Sequence, residues 1–146
     1  GIEAGAQIIM VGHAAYPSIT GDNTPASLSK DIVTDILREE MGYNGVVITD
    51  ALNMSAVSEY YDSATAAVMA LKAGADMVLM PENFEEAYQG VLDAVADGTI
   101  SEARINDSLS RIYKIKYKDK IYHSHRKAEQ KKINRTVGRY KPFKNQ

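Results

Sequence analysis

Three side chains able to do acid, base or hydrogen-bonding chemistry stand at or just past the ends of short apolar runs. They are His13, Asp50 and Glu82. Asp50 is the most informative, because a carboxylate that directly follows Val-Val-Ile-Thr is placed at the tip of a buried strand, facing a pocket rather than bulk water. The simpler alternatives are that Asp50 only caps the turn after its strand and that His13 is a hydrogen-bonded packing residue.

Composition and motifs exclude several other chemistries. The 146 residues include no Cys, which rules out a thiolate nucleophile, a disulfide and a Cys-based metal site. The sequence contains no G-x-S-x-G, P-loop or H-E-x-x-H motif, and no G-x-G-x-x-G after a predicted strand. The spacing of His123 and His125 suits a metal, but they lie in a basic segment typical of a solvated tail. We therefore expect no metal site and no cofactor.

An internal repeat indicates the elements that position these residues. Residues 3–10 and 72–79 share one pattern, a helix end, a glycine and an apolar strand, and residues 40–50 repeat it. Helical periodicity fills the intervals, so the predicted order is β-α-β-α-β-α-α, an α/β fold with a parallel sheet and right-handed crossovers. Because the apolar runs are continuous, we expect strands buried on both faces.

The helices and the strand count carry further expectations. Helices are predicted over 28–41, over 63–73, from 84 to a stop at 98, and from 102 onward. Ser27 or Ser29 could cap the first and Ser101 the last. Three strands complete no common parallel fold, since a TIM barrel needs eight strands and about 250 residues. We expect the C-terminal portion of a TIM barrel, incomplete as given, whose unpaired strand edges could self-associate.

Charge divides the chain into two parts. Residues 1–121 hold 9 Lys/Arg against 18 Asp/Glu, whereas residues 122–146 hold 8 Lys/Arg against one Glu. We expect a folded domain over 1–121 and a basic, irregular or disordered tail over 122–146 that stays solvated rather than binding nucleic acid. No apolar run reaches 18 residues, so no membrane span is predicted. The absence of an initial Met and of a leader suggests an internal start within a longer protein, and we assign no localisation.

The most specific motifs of the chain lie in residues 9–17, 25–43 and 45–54. The last reads Gly-Val-Val-Ile-Thr-Asp-Ala-Leu-Asn-Met. Together they resemble the catalytic barrel of glycoside hydrolase family 3, in its β-N-acetylhexosaminidase branch, over about residues 1–120. In that family the Asp of a T/S-D-[DA]-L-x-M segment, at the tip of the seventh barrel strand, is the nucleophile, so the resemblance assigns this role to Asp50. The β-glucosidases of the family usually have Trp next, which favours the N-acetylglucosaminidase side here.

The resemblance also implies a mechanism and a substrate. It implies retaining hydrolysis of a terminal β-linked N-acetylglucosaminide, often in peptidoglycan recycling, with His13, Met10 and Met54 lining the sugar pocket. In this branch the general acid/base is a His paired with an Asp on an earlier loop, and a Lys-His pair binds the sugar. The chain contains neither, so we expect it to be a catalytically incomplete, inactive fragment on its own.

Two other functions stay open. A different α/β protein could use Asp50 and His13 to orient a small polar ligand without covalent chemistry. A non-enzymatic module could assemble with copies of itself, or contact an acidic partner through its basic tail.

Overall fold

The computed structural model describes residues 1–118. The chain divides into two compact units, Gly1–Ile112 and Tyr113–Gln146, and the second is described only over 113–118. The predicted domain boundary after residue 121 and the predicted tail at 122–146 lie outside the described residues. Within residues 1–118, no helix has both the length and the apolar character to cross a membrane.

Three parallel strands form a sheet in the order β1-β2-β3. They are β1 (Ile8–Val11), β2 (Val46–Ala51) and β3 (Met77–Leu79). The connecting helices are α1 (Pro17–Thr20), a 3₁₀ turn (Ala26–Leu28), a π-helix (Asp31–Glu40), α2 (Ser55–Ser58), α3 (Ser63–Ala73), α4 (Phe84–Ala96) and α5 (Glu102–Lys116). The predicted α/β class and its three parallel β/α units are therefore confirmed.

Local sequence determines most helix ends. The Asp62 side chain caps α3 by accepting a hydrogen bond from Thr65 N, and Gly74, with φ of 119°, closes it. The predicted cap of α5 is confirmed, since Ser101 Oγ accepts a hydrogen bond from Arg104 N at 3.2 Å.

The predicted cap of the first long helix is wrong. That helix begins at Asp31, after Lys30, and has no side-chain cap. Ser27 lies instead in the buried 3₁₀ turn, where its backbone N–H donates to Gly12 O at 3.2 Å. Ser29 then has an extended backbone, with φ of −97° and ψ of 124°, so the 3₁₀ turn does not continue into the helix.

The helices cover one face of the sheet. Val47 of β2 is fully buried in a core with Val33, Leu37 and Val57, and Ile9 and Val11 of β1 pack against that core. The expectation that every strand is buried on both faces is correct for Val46 and Val47 and wrong for the outer strands. Ile8 and Met10 are each 53% exposed, and Met77 is 40% exposed.

The exposure of the outer strands has a simple cause. In the described residues β1 and β3 each pair with β2 alone, so Ile8 and Met10 of β1 have a neighbouring strand on one side only, whereas Val46 of the central strand is buried on the same face as Ile8. Unpaired edges and open apolar faces favour association with further strands. Self-association through these edges stays a prediction.

Helices α3 and α4 approach each other closely at Gly90. A Cβ atom at this position would lie 2.5 Å from Ala64 Cβ and 2.9 Å from Ala64 Cα. Helix propensity favours Ala over Gly by about 1 kcal/mol, whereas an overpacked contact costs about 1–3 kcal/mol. Because the obstructing atoms include backbone, we expect the clash to exceed the propensity gain, so that Gly90→Ala lowers the free energy of unfolding.

Urea denaturation of the two variants Gly90→Ala and Gly12→Ala checks this expectation. Gly12 is a matched control, because a Cβ built there meets no atom within 4 Å. A Gly90→Ala protein as stable as the wild type would contradict the close packing of α3 on α4.

Candidate active site

Asp50 lies in an irregular part of β2, at the carboxyl end of the sheet. The strand pairs Ile48 with Met77 and Ala51 with Leu79, so three steps along β2 correspond to two along β3. One extra residue is thus inserted around Thr49 and Asp50, as in a β-bulge. Bulges bend a strand and redirect its side chains, and they are common beside active sites.

The Asp50 carboxylate has one polar contact among residues 1–118. Its Oδ1 accepts a hydrogen bond from the backbone N–H of Ala51 at 2.8 Å. The side chain is half-buried, and no Lys, Arg or His forms an ion pair with it in the described part of the chain. A carboxylate with a fixed first oxygen and an available second one is suited to accept a proton, bind a hydroxyl or attack an electrophile.

Strand β3 holds the bulge on one side. The hydroxyl oxygen of Thr49, whose side chain is fully buried, accepts a hydrogen bond from Leu79 N at 3.1 Å in place of a ladder carbonyl. Further along, Asn53 N donates to Met80 O at 3.1 Å. Met80 has a φ of 44°, which is strained for a residue with a side chain and is typical of backbone near functional sites.

His13 holds the other side. Its Nε2 lies 3.0 Å from Ala51 O and its Nδ1 lies 2.7 Å from Ser27 Oγ. Because a carbonyl oxygen only accepts, Nε2 carries the proton, and in the neutral ring Nδ1 then accepts from the Ser27 hydroxyl. His13 is 9% exposed and Ser27 is 0% exposed. The pair therefore joins the end of β1 and the 3₁₀ turn to the end of β2.

The predicted sugar-binding residues lie at the same edge of the sheet or on its open face. Met10 of β1 pairs with Ile48 of β2 and is exposed, and Met54 is exposed in the turn after β2. Glu82 is exposed and lines a groove with Asp62 and Glu86.

A cleft of about 540 Å³ opens beside His13. Its walls include Asp22, Thr24, Tyr60 and Tyr61. A hydrogen bond from Thr24 N lowers the pKa of Asp22, so this carboxylate adds negative charge to the cleft. Within residues 1–118, no three His, Asp or Glu residues are grouped so as to hold a metal ion.

Sequence patterns missed an ionic cluster at the opposite edge of the sheet. Asp76, fully buried before β3, accepts hydrogen bonds from Arg38 Nη2 at 2.7 Å, Ser108 Oγ at 2.8 Å, Arg111 Nη1 at 2.9 Å and Val47 N at 3.0 Å. Arg104 lies 3.6 Å away, and burial lowers the pKa of its guanidinium, an effect that Asp76 opposes. This edge carries the amino ends of the strands, where residues serve stability rather than catalysis in parallel barrels.

Comparison with known proteins gives consistent matches. Residues 1–115 match the family described as Glycosyl hydrolase family 3 N terminal domain. Beta-hexosaminidase A of Pseudoalteromonas piscicida is 31% identical over 130 residues, covering 76% of this chain and 22% of that protein.

Solved structures agree with the sequence matches. The glycoside hydrolase family 3 β-N-acetylglucosaminidase of Paenibacillus sp. str. FPU-7 has a TM-score of 0.76 and 32% identity, covering 99% of this chain and 25% of that one. The β-N-acetylglucosaminidase of Thermotoga maritima has a TM-score of 0.68 and 35% identity, covering 73% and 24%. The chain thus spans about a quarter of the length of these relatives.

Proposed function

The chain belongs to glycoside hydrolase family 3, as its motifs predicted, and from this membership we propose that it supplies the nucleophile-bearing part of a retaining β-N-acetylglucosaminidase. The observation that carries the proposal is the Asp50 carboxylate. It stands in a bulge at the carboxyl end of a parallel strand, with one oxygen bound by Ala51 N and the other available to a ligand. The proposed substrate is a terminal β-linked N-acetylglucosaminide.

In the proposed reaction Asp50 attacks the anomeric carbon of the sugar. The bond from that carbon to the aglycone oxygen breaks, and a general acid protonates the departing oxygen. Water then gives a proton to the same acid/base group and attacks the same carbon, which breaks the bond to Asp50 and releases the sugar and the carboxylate, so the product retains its configuration. Met10 and Met54 are proposed to line the sugar pocket, because both are exposed at or near the strand ends.

The acid/base group is proposed to come from outside these 146 residues. The family branch uses a His paired with an Asp on an earlier loop. His13 does not suit that role, because protein groups bind both of its ring nitrogens. General acid–base catalysis contributes about 10²–10⁴-fold, and loss of the sugar-binding residues proposed to lie outside the chain should cost more, so we expect the 146-residue chain alone to give no measurable turnover.

The experiment compares the chain alone with the chain in a complete framework. We would replace the matching segment of the Thermotoga maritima enzyme by residues 1–118 and follow hydrolysis of an aryl β-N-acetylglucosaminide by NMR. The chimera is expected to release β-N-acetylglucosamine first, as retention requires. Initial release of the α-anomer, or a folded chimera that binds the substrate without hydrolysing it, would overturn the retaining mechanism.

The 146-residue chain alone is the companion sample. It should be inactive at concentrations where the chimera hydrolyses the substrate rapidly. Comparable rates for the two proteins would contradict the proposal that the acid/base group lies outside the chain.

A further inference from the structure

The turn that directly follows Asp50 is bound by a side chain distant in sequence. The carbonyl oxygen of Ala51 accepts the N–H of Met54 at 3.1 Å, which closes the turn, and also Nε2–H of His13 at 3.0 Å. We propose that His13 is a positioning residue for Asp50, acting through the Ala51 backbone. The catalytic part of this inference rests on the proposed function, because it takes Asp50 as the nucleophile.

The hydrogen bond from His13 to Ala51 lies where β2 lacks regular strand pairing, and we call this hydrogen bond the brace. Regular pairing between β1 and β2 ends with Val11 and Thr49, so Asp50 and Ala51 continue beyond the last paired residue of β1. On the other side, the ladder to β3 is irregular over Ile48–Ala51. His13 supplies on the β1 side the hydrogen bond that a continuing strand would otherwise make, and it does so where β2 departs from regular geometry.

A second contact, with Ser27, holds the His13 ring in addition to its hydrogen bond to Ala51. The Ser27 hydroxyl binds Nδ1, and the backbone of Ser27 is tied to the loop after β1 by its N–H to Gly12 O. Ala26 N makes a second such bond, to Ala14 O at 3.0 Å. This arrangement sets both the ring orientation and the tautomer, with the proton on Nε2.

The Ser27–His13 pair also has the composition of a nucleophile and its base, and the structure argues against that use. Ser27 is fully buried, so its hydroxyl cannot reach a substrate. The second ring nitrogen faces a neutral backbone carbonyl, whereas the base of a Ser-His-Asp triad is oriented by a carboxylate. The pair is suited to holding the peptide after Asp50.

The hydrogen bond from His13 acts on the Asp50 carboxylate through the backbone of Ala51. The N–H of Ala51 donates to Asp50 Oδ1 at 2.8 Å, and the carbonyl of the same residue is bound by His13. Fixing the carbonyl restricts rotation about the Ala51 backbone and so keeps its N–H aimed at Asp50. A nucleophile displaced by about 1 Å can cost about 10²-fold in rate, so a hold of this kind acts on kcat.

The first test is NMR of the full 146-residue chain. Long-range proton–nitrogen spectra should show His13 protonated at Nε2, and Ser27→Ala should add the other tautomer. Amide exchange at Ala51 should quicken about 5–10-fold in Ser27→Ala and in His13→Leu, the effect of losing one ordinary hydrogen bond. His13→Gln, whose amide can still donate to Ala51 O, should restore part of the protection.

Ser58→Ala is the matched control. It too removes a hydrogen-bonded serine hydroxyl near this turn, here one that donates to the carbonyl oxygen of Asn53 at 3.3 Å, but it does not touch His13 or Ala51. Ala51 exchange should keep its wild-type rate in this variant. Unchanged exchange in Ser27→Ala, with an otherwise native spectrum, would overturn the brace even if His13→Leu fails to fold.

The second test separates positioning from sugar binding. In the chimera, His13→Leu should lower kcat about 10–100-fold with KM within about threefold, and His13→Gln should recover part of kcat. A rise in KM with kcat unchanged would mean that His13 acts by contacting the sugar, and would overturn the positioning role. If Asp50 is not the nucleophile, Asp50→Asn stays active, whereas the NMR result at Ala51 still decides whether His13 holds the turn.

Discussion

Asp50→Asn in the chimera should lose aryl β-N-acetylglucosaminidase turnover by on the order of 10⁴-fold or more, with little change in stability. The amide keeps the shape of the carboxylate and can still accept the Ala51 N–H through its oxygen, so the bulge should persist. It carries no negative charge and is a far weaker nucleophile, so the covalent intermediate should not form. Initial rates with a nitrophenyl glycoside and thermal melts of both proteins give the two quantities.

Azide distinguishes a nucleophile from a carboxylate that only orients the sugar. Asp50→Gly leaves room beside the anomeric carbon, and added azide can enter from the face that Asp50 occupied. The expected product is the α-glycosyl azide, because a single displacement inverts the β-linked substrate. A β-configured azide product, or no azide product from a folded variant that still binds substrate, would contradict the nucleophilic role.

Asp93→Asn is the matched control for these substitutions. Asp93 is an exposed carboxylate on α4 whose described contact is a hydrogen bond from Gln89 at 2.8 Å. Turnover should be that of the parent chimera. An equal loss in both variants would mean that the change reports general damage rather than chemistry at Asp50.

The strands, and Asp50 at the end of one of them, were predictable because their signals are local. A glycine followed by an apolar run places each strand, and the Thr-Asp-Ala-Leu-Asn-Met segment identifies Asp50 through its resemblance to a family. The catalytic role of Asp50 stays a prediction. The bulge could not be predicted from local signals, because it depends on the pairing register between β2 and β3.

Ser27 shows why contacts were harder to predict than elements. A serine just before a helical pattern is typical of an N-cap, and that interpretation uses only its neighbours. In the structure its hydroxyl contacts His13, 14 residues away, and His13 contacts Ala51, 38 residues away. Pairs this distant are fixed by the packing of β1, the 3₁₀ turn and β2, which periodicity does not encode.

The prediction that the outer strands are buried on both faces was wrong for a similar reason. A continuous apolar run indicates a strand that is compatible with burial on both faces, but the burial itself requires layers above and below. In the described residues β1 lies at the edge of the sheet, so Ile8 and Met10 remain exposed, while Val46 and Val47 of the central strand are buried. The sequence pattern specifies what each strand tolerates rather than what covers it.

The Asp76 cluster is the site where a single substitution should cost the most stability. The carboxylate is fully buried among Arg38, Arg104 and Arg111, which come from the π-helix and α5, and it also binds Val47 N of β2. Two of these arginines also bind the carbonyls that end α3. Arg38 binds Gly74 O, and Arg104 binds Leu71 O. Removing the carboxylate leaves three guanidinium groups close together without the charge that offsets them.

We expect Asp76→Ala to lower the free energy of unfolding by about 3–5 kcal/mol, the range for breaking a buried ion pair from one side. That is a fifth or more of the roughly 5–15 kcal/mol by which an ordinary domain is stable, so the variant should be much closer to unfolding at 37 °C. Asp76→Asn should lose less, because its oxygen still accepts the Val47 N–H or the Ser108 hydroxyl, but it should remain clearly destabilised. Urea denaturation of both variants measures these losses.

The control is Asp35→Asn, which removes the carboxylate of an exposed pair with Lys30. Exposed pairs contribute little to stability, so this variant should unfold at nearly the wild-type urea concentration. Because Asp76 lies at the amino end of the sheet and Asp50 at the carboxyl end, an Asp76→Asn chimera that remains folded should keep a kcat near that of the parent. A kcat that falls in proportion to stability, measured where the variant is fully folded, would mean that the two ends of the sheet are coupled and that the ionic cluster contributes to positioning the bulge.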